Sequence, residues 1–95
     1  MKRFEVIANQ SLKDELIGSL EEAIPNIEYT LITTVQGKGM RKRKEGTRTW
    51  PETNFLLISY LNEENAAKAT AVAAKVRSRF LAEGLFASLS DATLI

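Results

Sequence analysis

Asn54-Phe55-Leu56-Leu57-Ile58-Ser59-Tyr60-Leu61 is the stretch on which the fold turns. Read at period two, Phe55, Leu57, Ser59 and Leu61 fall on one face and Leu56, Ile58 and Tyr60 on the other, so the segment is a strand apolar on both sides. Such a strand has to be covered twice. A chain of 95 residues, 44% of them hydrophobic, builds one core and not two. One face is therefore expected beneath the chain's own helices, and the other against something else.

On the C-terminal side, Asn62 is placed to cap a second helix. Glu63 and Glu64 stand in its first turn and Arg77 and Arg79 in its last, each favourable to the helix dipole. Val72, Val76 and Phe80 give it an apolar stripe, its many alanines allow close approach to a sheet, and Gly84 is the expected stop. A short fourth strand follows over 85–89, and Ser90-Asp91 is read as a turn. On the N-terminal side, Phe4, Val6 and Ala8 alternate in a first strand. Ser11 and Asp14 have the spacing of a capping box, and Leu12, Leu16, Leu20 and Ala23 recur at helical period up to Pro25-Asn26. A second strand is expected over 27–36, with Ile27, Tyr29, Leu31, Thr33 and Val35 on one side.

The order βαββαβ predicts an α+β, ferredoxin-like domain: a four-stranded antiparallel sheet with two helices on one face. The other face stays open in a monomer. Leu56, Ile58 and Tyr60, with Ile32 on the neighbouring strand, are expected to make that face apolar and to form an oligomer contact.

Lys and Arg number 13 against 12 Asp and Glu, so no global charge draws the chain to nucleic acid or membrane. With neither cysteine nor histidine, disulfides, Cys/His zinc sites and the commonest neutral-pH base are excluded. The start of the chain shares only its basic residues with a leader peptide, since Glu5 breaks the apolar run, and a cytoplasmic location is expected.

The positive charge is local. Between Val35 and Thr53 lies a connection far longer than neighbouring antiparallel strands need, with Lys38, Arg41, Lys42, Arg43, Lys44 and Arg48 in it. Residues 37–52 thus form a basic loop suited to phosphate or to an acidic protein surface. Trp50, the sole tryptophan, lies in the same loop beside Pro51 and is suited to anchoring its return, packing on another subunit or stacking on a partner. Gly37 and Gly39 either ease the strand exit or let backbone N–H groups approach a phosphate, with Lys38 and Arg41 adding charge. Neither a Walker loop nor a dinucleotide fingerprint is present.

Thr34-Val35-Gln36-Gly37-Lys38-Gly39-Met40-Arg41-Lys42 resembles the V-x-G-x-G-x-Q-K entry to the long T-loop of the nitrogen-regulatory PII signal-transduction family. Element order, length and loop position resemble its PII-like relatives as well. The resemblance implies a non-enzymatic homotrimer, an adenine nucleotide (ATP, ADP or AMP) in clefts between subunits, and a loop that docks onto a membrane transporter, enzyme or regulator. It assigns phosphate contact to Gly37, Lys38, Gly39 and Arg41, and partner contact to Arg41, Lys42, Arg43, Lys44, Arg48 and Trp50. Arg41 stands where the family has its glutamine, and Arg79-Phe80-Leu81-Ala82-Glu83-Gly84 stands where it has a glycine-rich phosphate loop. That half of the nucleotide site does not carry over, and the glutamine that helps the family hold Mg-nucleotide and 2-oxoglutarate has no counterpart here.

Three other readings share the topology. An acylphosphatase-like enzyme needs its glycine cradle between the first strand and first helix, where this chain has Asn9-Gln10-Ser11. An RNA-binding module needs aromatics on the open sheet face, where the third strand offers mainly aliphatics. A metal-tolerance trimer of the CutA kind would have only Met1 and Met40 as soft ligands.

Overall fold

The computed structural model describes residues 1–37 and 53–95. Its elements are β1 (Lys2–Asn9), α1 (Lys13–Ala23), β2 (Thr30–Val35), β3 (Asn54–Leu61), α2 (Glu63–Arg79) and β4 (Leu85–Asp91). The strands form one antiparallel sheet in the order β2-β3-β1-β4, the ferredoxin-like arrangement expected from the sequence.

Burial alternates along the central strands as period two requires. Phe4, Val6 and Ala8 of β1 and Phe55, Leu57 and Leu61 of β3 are buried, and Leu12, Leu16, Leu20 and Ile24 close over them from the first helical segment. The face that α2 buries consists of Ala66, Ala69, Ala73 and Val76, with Val72 and Phe80 only partly covered. Alanine therefore governs this contact more than the expected valine and phenylalanine stripe, its short side chain letting the helix lie close to the sheet.

The caps divide between expectation and correction. Asn62 caps α2 as its position predicts, its side-chain oxygen accepting from the Asn65 N–H at 2.8 Å. Asn62→Ala is expected to cost about 1 kcal/mol, readable as a lower urea midpoint with an unchanged m-value. Ser11 does not cap α1. The N-cap of α1 is Leu12, which makes no side-chain cap bond; Asn9 caps the preceding 3-10 turn, Gln10–Leu12, its Oδ1 accepting from the Ser11 N–H at 2.9 Å. Gly84 is not the stop of α2 either, since the helix ends at Arg79 and Phe80 closes it with an N–H bond to the Val76 carbonyl.

β2 is shorter than expected. Residues 27–29 lie outside the ladder, although Ile27 and Tyr29 still pack on the core. Asn26 adopts a left-handed φ of 67° just after Pro25, which turns the chain without forming a strand. Ser59, buried on the core face, supplies the missing attachment: its hydroxyl donates to the Glu28 carbonyl at 2.6 Å. The register of β2 on β3 also shifts between Ile32 and Val35, so the single expected face does not run unbroken. β4, by contrast, runs two residues further than expected. Ser90 and Asp91 continue the ladder opposite Arg3 and Lys2 instead of turning.

The Lys2 Nζ to Asp91 Oδ1 pair, 2.6 Å apart, ties the first strand's beginning to the last strand's end. It raises the lysine and lowers the carboxyl from their ordinary values, chiefly through that hydrogen bond. The pair is complete at neutral pH and weakens as pH falls through the lowered carboxyl value. Both groups are in contact with water, so salt screens it. No helix among the described residues is long and apolar enough to cross a membrane.

Candidate functional site

All four strands contribute to a platform at the end of the sheet from which residues 38–52 depart. Asn9 closes β1, Val35 closes β2, Asn54 opens β3 and Leu85 opens β4. Val35 and Asn54 are paired directly, so the two ends of the long connection leave from one rung of the ladder. A turn of a few residues would close such a rung. The eighteen residues between Val35 and Asn54 are more than closure needs.

The platform is held by backbone bonds that cross between elements. The Asn9 N–H donates to the Gly84 carbonyl at 2.9 Å, and the Gln10 N–H to the Thr53 carbonyl at 3.1 Å. Ser11 Oγ donates to Glu83 Oε1 at 3.3 Å. Gly37 sits against Asn54, where a Cβ would come within 3.0 Å of the amide nitrogen. Close approach is thus a use for Gly37 that its place in a G-x-G motif did not reveal. Lys38, Gly39, Arg41, Lys42, Arg43, Lys44, Arg48 and Trp50 lie outside the described residues.

Charge is distributed unequally between the connection and the rest. Residues 38–52 hold six cations and two carboxylates, an excess of four positive charges, whereas the other residues hold seven cations against ten carboxylates. A nearly neutral chain is therefore a negative body joined to a positive loop. The long-range field follows this separation more than the net charge.

The second feature is the open sheet face. The ladder register sets Ile32, Leu56, Ile7 and Phe86 side by side, one from each strand, in a continuous apolar row. Ile32 is 45% exposed and Phe86 68% exposed. In the next rungs Ile58 stands beside Glu5, and Tyr60 beside Arg3. Arg3 and Glu5 bond to each other at 2.8 Å, so the charges on this face are already matched. The four residues expected on the face, Ile32, Leu56, Ile58 and Tyr60, all point there. Ile7 and Phe86 complete the row, and their signal was the same alternation: each lies between core residues of its own strand.

By sequence, no family model matches the chain, and no curated protein matches it significantly. Solved structures do match by shape. CPII, a nitrogen regulatory PII-like protein from Thiomonas intermedia K12, in its form bound to ADP, AMP and bicarbonate, superposes with a TM-score of 0.64 at 20% identity, over 94% of this chain and 84% of that one. The apo form of CPII gives 0.62 at 18% identity, over 94% of this chain and 87% of that one. A protein from Thermus thermophilus described as PII-like in signaling gives 0.61 at 20% identity, over 94% and 83% of the two chains. At these identities the fold is what is shared: the chain has the same ferredoxin-like architecture as these PII-like proteins.

Proposed function

We propose that the chain is a non-enzymatic PII-like signalling protein that assembles as a homotrimer through its open sheet face. It binds an adenine nucleotide near the loop's departure point and offers residues 37–52 to an acidic partner such as a membrane transporter or regulatory enzyme. The observation that carries this reading is the charge separation: four excess positive charges reside in the one connection that a PII-like domain lengthens beyond structural need. In this reading Gly37, Lys38, Gly39 and Arg41 approach phosphate. Arg41, Lys42, Arg43, Lys44 and Arg48 supply charge to the partner, with Trp50 giving a flat apolar contact. The adenine nucleotides bound to CPII support the choice of ligand.

Calorimetry with ATP, ADP and AMP on the full chain is expected to show saturable binding of at least one of them. Arg41→Ala is expected to weaken it by roughly tenfold, the loss of one charge-assisted contact. Heat from none of the three would remove the sensor function. Unchanged affinity in Arg41→Ala would remove that residue's role and leave the assembly unaffected.

A further inference from the structure

We propose that Gln10 selects the base of the nucleotide: its side-chain oxygen accepts a hydrogen bond from the 6-amino group of adenine and so disfavours hypoxanthine and guanine. This role rests on the adenine-nucleotide function proposed above. Gln10 Oε1 is the sole buried side-chain nitrogen or oxygen among the described residues that has no hydrogen-bond partner. Ser59 shows the ordinary state of a buried polar side chain in this fold, its hydroxyl donating to the Glu28 carbonyl at 2.6 Å. An amide oxygen shut off from water without a donor costs folding free energy. A ligand that brings the donor recovers that cost on binding.

The place of Gln10 in the fold indicates which donor. Its N–H bonds to the Thr53 carbonyl at 3.1 Å, where the long connection returns to β3, so Gln10 stands at the departure point assigned to the nucleotide. Its backbone is fixed by that bond and by the Asn9 cap of the 3-10 turn. The residue as a whole is only partly buried, and rotation about its three side-chain bonds presents Oε1 to a ligand without moving the backbone.

The phosphate end of the nucleotide does not suit this acceptor. A phosphate oxygen brings Oε1 no proton, and the next residue, Ser11, is bonded to the Glu83 carboxylate at 3.3 Å, which puts a negative charge near Gln10. The base end does suit it. Adenine carries an N–H donor at position 6, whereas hypoxanthine and guanine carry a carbonyl oxygen there. That oxygen would meet Oε1 acceptor to acceptor and leave both unpaired. A placed polar group of this kind rejects the wrong ligand more strongly than a change of pocket shape does.

The test is calorimetry on the full chain with ATP, ADP and AMP against ITP, IDP and IMP, for the unmodified protein and for Gln10→Met, which keeps the side chain's length and removes the acceptor. In the unmodified protein the adenine form is expected to bind about tenfold tighter than the hypoxanthine form with the same phosphates, and in Gln10→Met the two should bind alike. Without nucleotide, the thermal midpoint of Gln10→Met should rise, because the variant no longer buries an unpaired oxygen. Purine-riboside phosphates, which carry only hydrogen at position 6, test the same bond without a substitution and should bind the unmodified protein about tenfold more weakly than their adenine counterparts. The proposal is overturned if Gln10→Met leaves the base ratio unchanged, if the purine-riboside forms bind as tightly as the adenine forms, or if the hypoxanthine form is preferred, which would make Gln10 a donor. An unchanged ratio with a lower midpoint would identify a buried water as the partner of Oε1. Heat from none of the nucleotides would remove the nucleotide function and this role with it, whereas binding with an unchanged ratio removes the role of Gln10 alone.

Discussion

Phe55→Ala is expected to cost about 3–5 kcal/mol, as large a loss as single substitutions in small domains ordinarily produce. Phe55 is fully buried in β3, one of the two inner strands, in register with Ala8 of β1. Removing the ring leaves a void that the surroundings close only in part, because the β1 ladder fixes this part of β3 and the core around it is close-packed. A domain of this size has about 5–15 kcal/mol in total, so the variant should be close to unfolding at ambient temperature. Urea titration followed by far-ultraviolet circular dichroism reads the change as a lower midpoint. That loss should not depend on protein concentration, since the side chain belongs to the monomer's own core. An effect below about 1 kcal/mol would mean that the core is not organised around this strand.

The double-faced reading of β3 is also what made the fold legible from the sequence. Alternation at Phe4, Val6 and Ala8 and at Phe55, Leu57 and Leu61 is a property of the strand itself, and the structure buries all six. The losses occurred where a contact distant in sequence decided the outcome. Residues 27–29 read as strand because they alternate, but a hydroxyl from Ser59 holds their backbone in place of a ladder partner. One exception is local: Asn9 starts a 3-10 turn over Gln10–Leu12, which puts Ser11 inside that turn and not at the N-cap of α1. The candidate site divides likewise. Charge and length of 38–52 are readable directly, whereas the apolar row through Ile7 and Phe86 appears only once the register of three strand pairs is fixed.

Leu56→Glu, one residue along the same strand, should behave in the opposite way. Leu56 stands at the middle of the open-face row, between Ile32 and Ile7. A carboxylate there costs the monomer little, because it can remain in water. In an assembly that covers the row it would be desolvated beside apolar side chains with no cation of its own, since Arg3 is already matched by Glu5 at 2.8 Å. Light scattering at micromolar concentration is expected to give three times the chain mass for the unmodified protein and the single-chain mass for Leu56→Glu. Circular dichroism should show an unchanged secondary structure. Thermal midpoints give a second reading: that of the unmodified protein should rise with concentration, as mass action requires of an assembly that forms only from folded chains, and that of Leu56→Glu should not. A monomeric mass for the unmodified protein would leave the apolar row in water and remove the trimer and its intersubunit clefts. A trimeric mass for Leu56→Glu would place the contact elsewhere on the molecule, and the charge-separated loop would then need a different frame to act from.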